Sequence, residues 1–282
     1  MPVFDTPEPL LVIIEAPGRV QLSASERADA VVHVRPADPD DEAGVETAAK
    51  TVVEHSAGRL LIRTPTTRSR SLLDSLFGHR GTVDITVEVP SGSDLEARRV
   101  TDVRTRGRLG RVRLSAAGEV WLDRTGTLSL RTSDGDVTAT GIAGDAEVVT
   151  ANGRIRIDAI EGAATAKTSN GRITLGEVGG DLVLNTASGD IAVARALAGV
   201  KARTAYGSIK IGKIVRGSVA LDTAYGDLEV GISRGTAAWL DVSTHHGRVH
   251  SDLDAAGGPD AAEETVEVRA HTGTGDIRLT RA

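Results

Sequence analysis

Thr168-Ser-Asn-Gly171-Arg-Ile173 is the stretch that decides the fold, because variants of it recur throughout the second half of the chain. The other copies occupy residues 132–137, 150–155, 186–191, 204–209, 223–228, 244–249 and 272–277. Their glycines follow one another at intervals of 18, 18, 18, 18, 19, 21 and 28 residues. A period near twenty residues is typical of a solenoid, in which each repeat forms one coil stacked on its neighbour.

Each coil reads as two short strands joined by two turns. After Gly171, apolar residues alternate with polar ones at Ile173 and Leu175, and again at Leu182 and Leu184. This period of two indicates strands with one buried face, and the Asn-Gly and Gly-Gly pairs between them form turns. Because every coil repeats the same phrase, like strands should stack in parallel. We therefore predict an all-β, parallel β-solenoid (β-helix) with coils of about 18 residues, right-handed by the usual preference.

Residues 1–94 are less regular, and we expect them to form an N-terminal capping region continuous with the solenoid. Regular coils should occupy residues 95–282, with an insertion loop at 254–264. Gly18-Arg-Val20-Gln-Leu22 already matches the repeated phrase, so coils can begin there. The other predicted elements are a short capping helix at 40–50, a hairpin at 51–63 and a loop at 68–80 with one helical turn at 72–77.

The composition limits the class of protein. Hydrophobic residues make up 40% of the chain but aromatic residues only 2%, which favours a thin core of small and branched side chains. The net charge of −6 argues against a nucleic-acid partner. The chain has no cysteine, and no stretch reads as a signal peptide or a membrane span. We therefore expect a cytoplasmic protein without a membrane span.

The strand end Val87-Glu-Val-Pro-Ser-Gly-Ser93, followed by serial Thr-x-x-Gly coils, resembles a known family. It is similar to the bacterial putative-adhesin β-strand-repeat family of unknown function, in its actinobacterial form. Asp5-Thr-Pro-Glu-Pro9 and Trp239-Leu-Asp-Val-Ser-Thr244 resemble that form too, and the likeness covers nearly the whole chain. The resemblance implies a solenoid and supplies no catalytic residues.

The residue before each repeated glycine should form a row along one turn. In chain order this row is Asp134, Asn152, Asn170, Ser188, Tyr206, Tyr225, His246 and Thr274. If coils stack in chain order, Tyr206, Tyr225 and His246 form a strip about 5 Å apart, which suits a sugar or the apolar edge of another protein. The alternative is that these rings only cap the turn and stack on one another.

A cluster of arginines is the strongest charge feature of the chain. Its candidate binding residues are Arg104, Arg106, Arg108, Arg111 and Arg113. They could meet an anionic polymer or an acidic protein surface. The alternative is a solvated β-face that blocks edge aggregation.

The residue after each repeated glycine forms a second row. In this row, opposite charges should meet between Arg172 and Asp190 and between Asp227 and Arg248. Arginine replaces aspartate in three of the eight copies, so we predict no calcium site. His245 and His246 should point to different sides, so we predict no other metal site and no cofactor. The repeated threonine hydroxyl should bond a turn backbone group or the next threonine, and no catalytic constellation is visible.

Three functions remain open from the sequence. The first is a non-enzymatic binding or scaffold protein with an unknown protein or polymer partner. The second is a structural protein that self-associates through its solenoid ends, as bactofilins do with a similar coil, and the C-terminal segment from residue 265 would leave one such end open. The third is a carbohydrate-active β-helix enzyme, for which fold analogy is the only support.

Overall fold

The computed structural model describes residues 2–65, 81–253 and 264–282. The predicted loop at 68–80, with its helical turn, lies outside the described residues, as does the insertion loop up to residue 263. The chain forms two compact units, Met1–Ser133 and Asp134–Ala282. The predicted boundary after residue 94, between the capping region and the regular coils, stays a prediction. The right-handedness of the solenoid also stays a prediction.

Parallel strands stacked as coils build both units, so the predicted all-β parallel solenoid is confirmed. The elements of the first unit are β1 (Val3–Asp5), β2 (Leu11–Ser25), β3 (Asp29–Pro36), α1 (Glu42–Lys50), β4 (Val52–Ser56), β5 (Arg59–Arg63), β6 (Val83–Pro90), β7 (Asp94–Arg106), β8 (Arg108–Ala116) and β9 (Val120–Asp134).

In the first unit, the first long strand of the chain lies inside the stack. β2 pairs in parallel with β5 and β6 on one side and with β7 on the other. Gly18, where the sequence indicated that coils can begin, has φ 145° and lies against the backbone of Val83. The next outward coil, β5 and β6, is covered in turn by β4 and β3, which pair with it antiparallel.

The predicted helix and hairpin are confirmed as parts of this covering layer. The helix α1 begins after Asp41, whose carboxylate accepts hydrogen bonds from the amides of Ala43 and Gly44. The hairpin is β4 and β5, with Ala57 and Gly58 at positive φ in its turn. β3 follows Arg27, which bonds Asp29 and Glu88. The hydrogen bond that Arg27 donates to the Asp29 carboxylate raises the pKa of Arg27 and lowers the pKa of Asp29.

The second unit consists of short strands that alternate between two parallel ladders. The first ladder contains β11 (Ala146–Asn152), β13 (Ala164–Asn170), β15 (Leu182–Ser188), β17 (Val200–Tyr206), β19 (Gly217–Tyr225), β23 (Glu264–Thr274) and β21 (Thr236–His246) in stacking order. The second ladder contains β10 (Val137–Ile142), β12 (Ile155–Ile160), β14 (Ile173–Val178), β16 (Ile191–Ala196), β18 (Ile209–Ile214), β20 (Leu228–Ile232), β24 (Ile277–Arg281) and β22 (Val249–Ser251).

Burial alternates along both ladders, as the repeated phrase predicts. Ile173 and Leu184 are fully buried, whereas Lys167 and Arg172 are exposed. Equivalent residues stack on one another, so that Ile173 pairs with Ile155 below and Ile191 above. Columns of small and branched apolar side chains therefore form the core, which explains the low aromatic content.

The order of the last two coils differs from the order of the chain. β23 and β24, the last strands, pair with β19 and β20 on one side and with β21 and β22 on the other. The outermost coil therefore precedes the final segment in sequence, and the final segment lies between the outermost coil and the coil of β19 and β20. The expectation that the C-terminal segment is the open end is wrong, because β21 and β22 occupy that position.

Candidate binding surface on the turn row of the second unit

The glycine and the threonine of the repeated phrase both have structural roles at the turn that carries the row. Gly171 has φ 153°, and a Cβ there would lie 2.0 Å from the carbonyl oxygen of Gly153, so only glycine allows the coils to approach. The Thr186 hydroxyl donates to the carbonyl oxygen of Gly171 at 3.2 Å. The predicted threonine bond to a turn backbone group is therefore confirmed.

The row before the glycines is continuous in the second unit. Register pairs Asn152 with Asn170, then Ser188, Tyr206 and Tyr225 in successive coils. The next coil contributes Thr274, and His246 follows it on the outermost coil. The predicted three-ring strip is therefore wrong, because Thr274 separates His246 from Tyr225.

Tyr206 and Tyr225 are the two adjacent rings of the row. Their centroids lie 5.2 Å apart with only 2° between the ring planes, so the rings stack face to face with an offset. Both side chains remain largely open to solvent, at 62% and 55% exposure. The prediction that they stack on each other is confirmed. One face of each ring therefore lies against the other ring, and the register neighbours of the pair along the row are Ser188 and Thr274.

An amide ladder leads up to the tyrosine pair. The Asn170 side-chain nitrogen donates to the side-chain oxygen of Asn152, and the Asn152 nitrogen donates to Asp134, both at 2.9 Å. These bonds orient the Asn170 oxygen toward the next coil, which carries only the small side chain of Ser188. Two coil spacings separate Asn170 from Tyr206, about 9.6 Å. The small side chain of Ser188 therefore lies in register between Asn170 and Tyr206, and this position is called the niche below.

The second row, after the glycines, connects neighbouring coils. Asp190 accepts a hydrogen bond from the Ser208 amide at 3.1 Å, and Asp227 accepts one from the Asp276 amide at 2.8 Å. The predicted ion pair between Arg172 and Asp190 is confirmed at 2.8 Å. The predicted contact between Asp227 and Arg248 is wrong, because Asp276 of the inserted coil lies between them and itself accepts from the Arg248 amide at 2.9 Å.

The five candidate arginines lie in the first unit and do not form one face. All five, Arg104, Arg106, Arg108, Arg111 and Arg113, are exposed. Arg104 and Arg106 lie in the second half of β7, in register with Gln21 and Ser23 of β2. The other three lie on β8, which pairs with the first half of β7. Since both halves of a coil bury their inner side, these outer faces point apart. Arg104 lies 5.2 Å from the ring centroid of Trp121, a cation–π contact.

A contact between Ser243 and His271 escaped the sequence analysis. The Ser243 hydroxyl lies 2.5 Å from the His271 Nδ1 atom, at the edge of a groove of about 290 Å³. Asp222 is the register neighbour of His271, but its carboxylate pairs with Arg203 at 3.5 Å. A serine nucleophile needs a base that a third group orients. Asp222 would be that third group for His271, but its carboxylate is paired with Arg203. The sequence could not reveal this contact, because it depends on the inserted coil.

A family comparison identifies the chain. The model of the Toastrack DUF4097 family matches residues 20–280. The chain belongs to this family. No curated protein matches the Toastrack chain in sequence.

Three solved structures resemble this Toastrack chain at low identity. A putative lipid binding protein from Parabacteroides distasonis has a TM-score of 0.42 and 12% identity, with coverage of 99% of this chain and 96% of that one. A putative adhesin from Bacteroides fragilis has a TM-score of 0.38 and 11% identity, covering 99% and 95%. A putative adhesin from P. distasonis has a TM-score of 0.36 and 9% identity, covering 98% and 95%. At these scores the likenesses carry no argument about function.

The described part of this Toastrack chain contains neither a metal-binding cluster nor a membrane-spanning helix. Within residues 2–65, 81–253 and 264–282, no group of three or more histidine, aspartate or glutamate side chains is placed to hold a metal ion. No helix in those ranges has the length and apolarity needed to cross a membrane. Calcium independence and a cytoplasmic location stay predictions.

Proposed function

We propose that this protein is a non-enzymatic binding module that recognises carbohydrate at the niche over Ser188. The observation that carries the proposal is the exposed, stacked pair Tyr206 and Tyr225 on adjacent coils. Elsewhere in the row the same position holds small or polar side chains, and the coil closes equally well with them. The fold therefore does not require the two rings.

The chemistry of the niche suits a sugar ring. Pyranose rings present C–H groups that pack on an aromatic face, while their hydroxyls need hydrogen-bond partners. The outer face of Tyr206 offers the first, and Asn170 and Ser188 offer the second. Tyr225 supports Tyr206 from behind, because their planes are parallel. A site prepared in this way binds without first ordering its side chains.

Affinity electrophoresis through gels containing soluble glucans, mannans or xylans tests the proposal. We expect at least one polymer to retard the native chain, and Tyr206→Ala to weaken that binding by about tenfold. Tyr206→Phe keeps the ring and should bind within about threefold of the native chain. Lys167→Ala, an exposed change on an outer strand face, is the matched control and should bind normally.

Two results would contradict the proposal. One is that no polymer in the panel retards the native chain. The other is that Tyr206→Ala binds as well as Lys167→Ala. The enzyme alternative has less support, because the Ser243–His271 contact lies away from this row and Asp222 is paired with Arg203.

A further inference from the structure

The two units treat their outermost coils differently. In the first unit, β4 and β3 pair with the outer coil of β5 and β6 and cover both of its edges. In the second unit, the outer coil is β21 and β22. Among the described strands, β21 pairs only with β23, and β22 only with β24. Within residues 134–253 and 264–282, no strand therefore covers the outer edges of β21 and β22 as β3 and β4 cover the outer coil of the first unit.

The inner side of this outer coil is also incompletely buried. Leu240 and Val242 point inward on β21 and are half-buried, whereas their register partners Val268 and Ala270 in the coil below are buried. Val249 on β22 is 46% exposed, although its partner Ile277 is fully buried. Apolar positions that every inner coil buries are therefore partly exposed here, which is typical of an interaction surface.

Alternate residues of β21 direct their backbone groups toward the outer edge. In the equivalent inner strand β15, the Leu182 amide donates to the Gly199 carbonyl of the next coil at 2.9 Å. Leu240 is the register equivalent of Leu182 on β21, so Leu240 and its alternate neighbours Ala238 and Val242 direct their backbone groups away from β23. An edge of this kind is a template for another strand.

We infer that the outer coil of β21 and β22 pairs with the same coil of a second copy of this chain, about a two-fold axis. If the two-fold axis is normal to both ladders, the second copy adds an antiparallel strand to each ladder. The inner face of each added strand then lies on the same side as the inner face of the ladder it joins. Antiparallel pairing of β21 with itself about Leu240 matches inward residues with inward residues and outward amides with outward carbonyls. It places Asp241 opposite Trp239 of the other copy, so that like charges do not meet.

A second copy fits this edge better than a head-to-tail chain of copies does. Head-to-tail growth needs a second free parallel edge on each copy, and the outer coil of the first unit does not provide one, because β3 and β4 lie antiparallel on it. The isologous pair, in contrast, uses one patch twice and closes on itself.

The interface is small, which sets the expected affinity. β21 has 11 residues and β22 has three, fewer than the 20–30 residues a side of a standard interface. We therefore expect a weak, concentration-dependent dimer with a Kd of about 10–100 μM. This inference does not depend on carbohydrate binding.

Sedimentation velocity of the full chain over a concentration series tests the pairing. The native chain should shift from monomer to dimer across the micromolar range. Val242→Pro removes an amide that points outward, so it should raise the Kd by at least about tenfold. Val242→Thr keeps the amide and the branched side-chain shape, so it is the matched control and should dimerise like the native chain.

Oxidative cross-linking provides a second test that does not depend on the proline variant folding. The chain has no cysteine, so Leu240→Cys introduces a single thiol at the two-fold axis. The two Cα atoms of such a hydrogen-bonded pair would lie about 5.5 Å apart, within reach of a disulfide. Ser243→Cys is the control, because its two copies would lie roughly 20 Å apart.

Three results would overturn the inference. The first is a native chain that remains monomeric up to about 1 mM, well above the Kd expected for so small an interface. The second is a dimer that Val242→Pro, with native circular dichroism, leaves unchanged. The third is cross-linking of Leu240→Cys that is no faster than that of Ser243→Cys. Faster cross-linking at position 240 together with loss of the dimer in Val242→Pro supports it.

Discussion

Gly171 lies so close to Gly153 that a Cβ added to it would be 2.0 Å from the carbonyl oxygen of Gly153. The same contact recurs at each repeated glycine, for example between Gly189 and Gly171 at 2.2 Å. Coil spacing in the second unit therefore depends on the absence of a side chain at these positions, in addition to the backbone conformation.

Gly171→Ala should lower the free energy of unfolding by about 3 kcal/mol, because the methyl group meets rigid backbone and φ 153° is strained for alanine. Gly235→Ala is the matched control. Gly235 also has positive φ, at 82°, but a Cβ there meets nothing within 4 Å. It should lose about 1 kcal/mol. Urea unfolding of both variants measures the difference, and equal losses would contradict the close-contact argument.

Thr186→Val should lower the free energy of unfolding by about 1 kcal/mol. The substitution keeps the side-chain shape but removes the hydroxyl that donates to the carbonyl oxygen of Gly171. Thr174→Val is the control, because Thr174 is half-buried on the outer side of β14 and should change stability by less than about 0.5 kcal/mol. Chemical denaturation of both variants gives the comparison, and a larger loss at Thr174 would exclude a special role for the Thr186 hydroxyl.

The coil could be predicted from the sequence because each of its parts is local. The alternation through Ile173 and Leu175 gives the strands, and Gly171 gives the turn. The order of the coils could not be predicted in the same way. Since every coil carries the same phrase, β23 can stack in register on β19 as well as on β21. The irregular spacing after Gly226 signals a change but does not say which coil is displaced.

The candidate site was likewise predictable where it depends on regular coils and unpredictable where it depends on the order of the coils. Tyr206 and Tyr225 belong to consecutive regular coils, so their proximity could be predicted, and the structure adds the parallel ring planes. His246 belongs to the displaced coil, so its place in the row could not be predicted. The arginine cluster also separates, because Arg104 and Arg113 lie on strands of different halves of a coil. A run of like charges in sequence is therefore not evidence of one surface in a solenoid.

Calcium should leave the stability of the protein unchanged. The repeated aspartates already accept amide hydrogen bonds from the neighbouring coil, as Asp190 does from Ser208 and Asp227 does from Asp276. We expect the melting midpoint to agree within about 1 °C with calcium and with chelator, since an ion that does not bind cannot stabilise the fold. Differential scanning calorimetry in both buffers measures this, and a loss of several degrees on adding chelator would show that the aspartates hold the ion.

Ile173→Asp and Arg172→Ala, on adjacent residues, test the assignment of inner and outer faces. Ile173 is fully buried between Ile155 and Ile191, so an aspartate there would place a charge in a thin core and should cost about 4 kcal/mol or more. Arg172 forms an exposed ion pair with Asp190, at side-chain exposures of 61% and 44%, so its removal should cost less than about 0.5 kcal/mol. Denaturant midpoints of the two variants decide between the faces. Similar losses at the two positions would mean that the register is shifted by one residue, since a one-residue shift exchanges the inner and outer faces of a strand.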